Sequence, residues 1–332
     1  KKKAVSNTLA KEIEKVDNVG SEIVHVADDY KSRYKPSKGC DVILIKNLTK
    51  QMLENETVKL AYSRWSSNTK SKELVRQLSE SKFADAETMG RLLGKRLQVR
   101  NESRSTVYTH QRNGKIDKRL VHQLGFDAES VFNQTFIDKF KKANLHLSLD
   151  ASSSMSGDKW ERTVMNTIAL AKAVSMIQNL SMQISIRYSD GGGVGHGIPI
   201  VVVAWDSRKD SYQKIRSIFP YLHPNGTTPE GLAFEAINKL IVPSGPDMDS
   251  FFVNISDGEP WFSNGTIEYA GATAAEHTRK EVERIRANGV SVLSYFVNDG
   301  ARETAAHEVF RKMYGVDARF IDIQNVGQVS TT

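Results

Sequence analysis

From Asn144 onward, short β-branched or apolar runs alternate with segments of helical periodicity, and this alternation constrains the fold more than any other feature of the chain. A strand that returns parallel to its predecessor needs a crossover, so the pattern predicts a parallel sheet with helices on both faces. Leu145–Asp150 reads as the first strand. Gly157–Leu180 reads as a helix with Val164, Ile168, Leu170, Ala171, Val174 and Ile177 on one wide apolar face. Met182–Tyr188 and Ile198–Trp205 are strands joined by a Gly-rich stretch that holds no helix, so they pair antiparallel. Asp210–Phe219, Glu230–Leu240, Ala274–Asn288 and Thr304–Tyr314 read as helices; Phe251–Ile255, Val290–Val297 and Arg319–Ile321 read as strands. The expectation for residues 143–325 is an α/β, doubly wound, mostly parallel six-stranded sheet with one antiparallel edge strand, Ile198–Trp205, and a tail at 326–332.

Residues 1–142 read differently, as a mainly helical region with one small β-hairpin. A helix is expected near 5–17 and a poorly ordered stretch at 30–40. Asn47–Ser66 reads as a helix because Leu48, Met52, Leu53, Val58, Leu60 and Trp65 recur at mixed three/four spacing. Ser71–Gln98 reads as another helix or pair, with Leu74, Leu78, Met89, Leu92, Leu93 and Leu97 on one side. Ser105–Asp117 breaks the helical pattern, and its Asn113-Gly114 pair signals a tight hairpin turn. Lys118–Gly125 reads as a short helix, and Ser130–Lys142 leads to the first sheet strand. Residues 1–143 carry 29 Lys and Arg against 18 Asp and Glu, net +11, whereas residues 144–332 carry 17 against 21, net −4. A basic surplus spread over many segments reads first as a solvated face, and second as a surface for nucleic acid or an acidic protein.

Several classes are disfavoured at this level. No run of eighteen apolar residues occurs, so no membrane span is expected. The opening Lys1-Lys-Lys3-Ala-Val lacks the apolar core of a secretory signal, and without an initiator Met the natural start is expected upstream. The single cysteine, Cys40, allows no internal disulfide and suits a reducing cytoplasm; beside Val42–Ile45 it reads as a small core filler.

The chemistry concentrates where the first strand ends. Asp150 is followed by Ser152 and Ser154, so one carboxylate and two hydroxyls gather at the start of a helix. Oxygen ligands with few charges suit a hard cation such as Mg²⁺, with Mn²⁺ able to substitute. Asn225-Gly-Thr-Thr-Pro-Glu-Gly231 offers a further hydroxyl, and Ile255-Ser-Asp-Gly-Glu-Pro260 a second carboxylate, Asp257, after another apolar strand. Ligands of open α/β sheets bind outside the carboxyl ends of the strands, which is where Asp150 and Asp257 fall. Competing motifs fail their own requirements. Gly191-Gly-Gly-Val-Gly195 lacks the Gly-Lys-Ser/Thr of a phosphate loop and precedes a strand, so it reads as a hairpin tip. His307-Glu308 lacks the second His of a zinc protease helix, and no nucleophile elbow surrounds the serines. Trp261 reads as a rim residue, either a partner contact or a loop aromatic.

Taken in order, these three segments resemble the metal-ion-dependent adhesion site (MIDAS) of von Willebrand factor A (vWA) domains. The resemblance assigns metal ligation to Asp150, Ser152, Ser154, Asp257 and Thr228; the Gly231 and Ala233 that follow favour Thr228, with Thr227 as the fallback. It implies that an acidic side chain of a partner completes the cation's shell. Gly94–Arg104, Asn113–Leu120 and Ile255–Pro260 further resemble the CobT subunit of aerobic cobaltochelatase, including compact CobT-like chains of bacteriophages. That implies a cytoplasmic, non-catalytic subunit of a hetero-oligomer, docked on an AAA+ ATPase of the CobS or MoxR kind. The complex would insert a metal into a tetrapyrrole or remodel a target. No Walker motif is present, so the chain is not expected to hydrolyse ATP itself. CobT-like chains usually carry an acidic stretch where this chain is basic. The rival expectation is a nucleic-acid-associated protein that grips phosphate with the basic half and docks through the vWA half.

Overall fold

The computed structural model describes residues 21–26, 40–54, 58–67, 71–101, 104–122, 129–138, 141–189, 197–264, 267–298 and 305–322. In chain order these form β1 (Ser21–Val26), β2 (Cys40–Ile45), α1 (Lys50–Glu54), β3 (Ser63–Ser66), β4 (Ser71–Leu74), α2 (Glu80–Asn101), β5 (Arg104–Gln111), β6 (Lys115–Ile116) and β7 (Phe132–Asp138). The alternating half supplies β8 (Lys142–Asp150), α3 (Asp158–Val174), β9 (Leu180–Ser189), β10 (Pro199–Asp206), α4 (Tyr212–Ile218), α5 (Glu230–Asn238) and β11 (Met248–Ser256). It ends with the short β12 (Phe262–Ser263) and β13 (Glu268–Tyr269), then α6 (Gly271–Ala287), β14 (Ser291–Asn298), α7 (Ala305–Tyr314) and β15 (Ala318–Asp322).

The central sheet runs β1-β2-β10-β9-β8-β11-β14-β15. Six of its strands are those expected after residue 142, and among them only β10 runs antiparallel to its neighbour β9. The sheet is larger than the expected six strands, and β10 is not its edge. β2 pairs parallel with β10, Ile200 opposite Ile43 and Val202 opposite Ile45, and β1 closes that side antiparallel to β2. The Val42–Ile45 run is continuous rather than alternating because it is buried on both faces, and such a run carries no helix or strand period.

β8 shows how the sheet separates two cores. Leu147 and Leu149 pack with Ile184, Ile186, Val164, Ile168 and Ala171 under α3. The other side of the sheet is covered by α5, α6 and α7, where Phe252 packs with Leu232, Phe234, Val282, Ile285 and Phe310. His146, Ser148 and Asp150 alternate with the leucines, so they project to this second face, and all three are buried. His146 Nε2 lies 2.8 Å from the Ser185 hydroxyl, and Arg187 donates to Ser148 Oγ at 2.9 Å. Burial holds the His146 imidazole down at about 4, so it stays neutral.

The N-terminal half departs most from expectation. Among its described residues, strand outweighs helix. Where a helix is expected over Asn47–Ser66, the described residues form the five-residue α1, an irregular stretch at 58–62 and β3. Leu48, Met52, Leu53, Val58 and Leu60 are all buried in the core under α3, but Lys59 has φ +49, which interrupts any helix between them. The helix expected from Ser71 begins at Glu80, after β4, where Ser79 Oγ accepts the Lys82 N–H at 3.3 Å. Its buried stripe is Phe83, Ala86, Glu87, Gly90 and Gly94, while Met89 and Leu92 face solvent. A Cβ on Gly90 would stand 2.5 Å from the Ala169 carbonyl, so the glycines let α2 lie directly on α3. Asn113-Gly114 does turn the chain, but β5 and β6 pair with β7 on either side rather than with each other. The expected short helix at 118 is a turn and a 3-10 segment as far as His122. The helix expected near 5–17, residues 30–39 of the stretch expected at 30–40, the Gly191–Gly195 tip and the tail lie outside the described residues. Cys40 is buried at the start of β2, in the core beside Val42 and Leu44.

Candidate metal centre

Two neighbouring parallel strands bring the carboxylates together. β8 and β11 pair in register up to Leu149 opposite Ile255, so Asp150 and Ser256 end adjacent strands and Asp257 follows at once. Asp150 is fully buried. Its Oδ1 accepts the Ser152 N–H at 2.9 Å and its Oδ2 accepts the Ser256 hydroxyl at 2.7 Å. The chain then passes through a 3-10 turn, Ser153–Met155, before α3. The Ser154 hydroxyl donates to Asp257 Oδ1 at 2.7 Å, and the Ser152 and Ser154 oxygens are 2.9 Å apart. Asp150, Ser152, Ser154 and Asp257 therefore form one hydrogen-bonded row across the strand ends.

The loop carrying the two threonines is fastened to the same place. Asn225 N–H donates to the Ala151 carbonyl at 2.7 Å, and Ser153 N–H to the Gly226 carbonyl at 3.0 Å. Gly226 has φ +76, and a Cβ there would come within 2.2 Å of the Ser189 carbonyl, so only glycine fits. Thr227 turns toward β9: its N–H donates to Ser189 Oγ at 2.9 Å and its hydroxyl lies 3.0 Å from the same atom. Thr228 is buried and forms a two-way backbone bridge with Trp261, at 3.0 and 2.9 Å. This bridge ties the threonine loop to the segment just after Asp257. Trp261 itself is 51% exposed, at the rim.

Four residues not singled out by sequence reasoning shape the electrostatics. Arg187, fully buried on β9, donates to Glu230 Oε1 at 2.9 Å and stands 3.9 Å from Asp150 Oδ2. Glu230 Oε1 also accepts from Asn254 at 3.0 Å and from the Tyr314 hydroxyl at 2.7 Å. Burial pushes the Asp150 and Glu230 carboxyls up, Arg187 opposes this, and the mutual charge of neighbouring carboxylates (Asp257 on Asp150, Asp150 on Glu230) adds to the rise. Ser256 fixes the orientation of Asp150. Lys159, in the first turn of α3, donates to Asp257 Oδ2 at 2.7 Å and to the Ser154 carbonyl at 3.5 Å. Arg187 carried a sequence signal: in Gln183-Ile-Ser-Ile-Arg187 the alternation puts the arginine inside the sheet, opposite Ile184 and Ile186.

The donor set fits a hard divalent cation. It consists of carboxylate and hydroxyl oxygens, and a positively charged ammonium already sits on Asp257 Oδ2. Of the residues expected to hold such an ion, Asp150, Ser152, Ser154 and Asp257 stand in one hydrogen-bonded row, and Thr228 is fastened to the segment after Asp257 through its backbone bridge to Trp261. Among the described residues, His, Asp and Glu ligand atoms also converge in one other place, between α5 and α6: Glu235, His277 and Glu281. There His277 Nε2 is 3.2 Å from Glu235 Oε1, and Arg284 donates to Glu281 at 2.6 Å and approaches Glu235 at 3.8 Å, so an arginine already supplies the counter-charge. His307 packs against the Phe296 and Phe320 rings at 4.6 and 4.8 Å, as a core side chain does. No helix among the described residues is long and apolar enough to cross a membrane.

No protein-family model and no curated protein matches this chain. Solved structures of similar shape include the pilus adhesin SpaC from Lactobacillus rhamnosus GG in its open conformation, 13% identical, TM-score 0.43, over 59% of this chain and 30% of the adhesin. The vWF domain of the type V pili tip protein Mfa5 from Porphyromonas gingivalis is 9% identical, TM-score 0.44, over 57% of this chain and 93% of that one. Proximal thread matrix protein 1 from the mussel byssus, with a zinc-occupied MIDAS motif, is 13% identical, TM-score 0.39, over 57% of this chain and 44% of that one.

Proposed function

We propose that the chain is a non-catalytic vWA-type subunit that docks on an AAA+ ATPase of the CobS or MoxR kind through a Mg²⁺ ion. Asp150, Ser152, Ser154, Thr228 and Asp257 hold the ion, and Mn²⁺ can replace it. The observation that carries this reading is the row Asp150–Ser152–Ser154–Asp257 at the ends of two adjacent parallel strands, with Trp261 exposed beside it. Mg²⁺ favours six oxygens and gives up its waters reluctantly. A set of two carboxylates and three hydroxyls leaves room for an acidic side chain from a partner. The cation thus joins two proteins, and the ATPase supplies the work of inserting a metal into a tetrapyrrole or remodelling a target. The division near residue 143, a cytoplasmic location and the hetero-oligomer belong to the same proposal.

The test is capture of the ATPase encoded by a neighbouring gene by the full chain in Mg²⁺ and in EDTA, and by Asp150→Ala in Mg²⁺. Capture is expected only by the unaltered chain in Mg²⁺, and Asp150→Ala should also lose the Mg²⁺-dependent rise in Tm that linkage predicts. Equal capture in all three samples would remove the metal site as the docking surface.

A second reading has its own observation. Tyr62 and Trp65 are 55% and 69% exposed at the β3–β4 hairpin, where Arg64 and Lys72 are also exposed. Aromatic and cationic side chains side by side suit single-stranded nucleic acid, with bases stacking and phosphates paired. Binding of an oligonucleotide that weakens steeply with salt and is lost in Trp65→Ala would favour it.

A further inference from the structure

We infer that Lys159 is a built-in competitor of the divalent cation: its ammonium neutralises Asp257 and must leave for the ion to bind. The inference rests on the cation site proposed above. Asp257 Oδ2 receives the Lys159 ammonium at 2.7 Å, and the side chains of the pair are 19% and 1% exposed. This is not a solvated surface pair, whose worth is small. The acid side is closed off from water, and the ammonium also reaches the Ser154 carbonyl, on the residue whose hydroxyl holds Asp257 Oδ1. Lys159 thus touches two of the five residues assigned to the ion.

The local charges explain why an ammonium belongs there. Three carboxylates, Asp150, Glu230 and Asp257, converge against two cations. Arg187 is shared by Glu230 and Asp150, which leaves Asp257 to Lys159. The Lys159 ammonium is the cation that balances Asp257. A divalent ion between the carboxylates would do the same work, and it competes with Lys159 because two cations within contact distance of one carboxylate repel. Lys159 is the second residue of α3 and has a flexible stem, so it can swing to water with no change in backbone. Lysine at this position therefore sets a ceiling on metal affinity. It makes occupancy respond to cation concentration rather than holding the ion permanently.

The experiment is calorimetric titration of Mn²⁺ into the full chain, Lys159→Met, Lys159→Arg and Asp150→Ala, with circular dichroism to verify folding. Lys159→Met removes the competitor and keeps the stem, so Mn²⁺ should bind about tenfold more tightly, equivalent to about 1.4 kcal/mol. Lys159→Arg keeps a cation beside Asp257, with a planar fork that can hold the carboxylate at two points, so it should bind Mn²⁺ no more tightly than the unaltered chain, and Asp150→Ala should not bind. Unchanged or weaker Mn²⁺ binding by Lys159→Met, with the unaltered chain binding normally, would overturn the competition and leave the metal site standing. Absence of Mn²⁺ binding in both the unaltered chain and Lys159→Met would overturn the metal site and the competition together.

Discussion

At two places among the described residues acidic side chains gather inside the fold, and they are neutralised in different ways. At the strand ends, Asp150 and Asp257 come from different strands, and their counter-charges, Arg187 and Lys159, come from a third strand and from α3. Between α5 and α6, Glu235 and Glu281 face His277 and Arg284, and three of these four side chains stand on the single helix α6. The helix cluster is closed by its own arginine, which reaches Glu281 from three residues away. The strand-end cluster is closed only in its interior, by Arg187, and its outer carboxylate depends on a lysine with a flexible stem. A cluster whose charges are balanced largely from one helix is structural. One whose balance is spread over several segments, with its outer cation on a movable arm, is suited to exchange that cation.

The largest effect expected from breaking this contrast is at Arg187. Arg187→Met leaves Glu230 and Asp150 buried beside each other without a cation, which should cost about 3–5 kcal/mol of stability. Urea unfolding would measure it, and Arg187→Met combined with Glu230→Gln should recover part of the loss. A single variant as stable as the parent would mean that the interior arginine is not what keeps the strand-end cluster folded.

The helix cluster can be probed by pH. Burial, with Glu235 nearby, pushes the Glu281 carboxyl up to about 7, while Arg284 and His277 oppose the rise. In the unfolded chain a glutamate titrates near about 4.3. The folded state therefore holds this proton more tightly, so the contribution of Glu281 to stability is full below about pH 4.3 and is lost as pH rises through about 7. Glu281→Gln cannot titrate, so the Tm of the parent should fall relative to that of the variant between pH 5 and pH 7.5. Parallel curves over that range would show that Arg284 already keeps the carboxylate charged. The smallest effect separates the two threonines. Thr228→Ala should weaken Mn²⁺ binding by about tenfold, about 1.4 kcal/mol, whereas Thr227→Ala should leave it nearly unchanged, because the Thr227 hydroxyl is engaged with Ser189. The reverse order would make Thr227 the ligand.

Asp150, Ser152, Ser154 and Asp257 were legible because each lies within a few residues of a strand end, so one local pattern carries both the position and the chemistry. Lys159 and Ser256 lay beside those motifs but acquire a role only through contacts across the site. Arg187 and Glu230 act across 43 positions of sequence, a pairing no local pattern encodes, although a lone arginine alternating with isoleucines marked a buried charge. The N-terminal half was read poorly for a physical reason. Leu48 to Leu60 are spaced like a helix stripe, yet they reach the core from a short helix and an irregular chain. Among its described residues α2 buries Phe83 as its one large apolar side chain beside Ala86, Glu87, Gly90 and Gly94, which carry little hydrophobic signal, and turns Met89 and Leu92 outward.

The pairing of β2 with β10 also bears on how the molecule is inherited and handled. Pro199–Asp206 is buried along its whole length, and its outer row of backbone groups is covered by β2, a segment more than 150 residues earlier in the chain. During synthesis the cover is made long before the strand it protects, so the apolar ribbon emerges into a partner already waiting. A fragment beginning at residue 143 would keep every proposed metal ligand and lose that cover. It would present Ile-Val-Val-Val-Ala-Trp as an open edge to the next copy of itself, and it would assemble into aggregates before its metal chemistry could be measured.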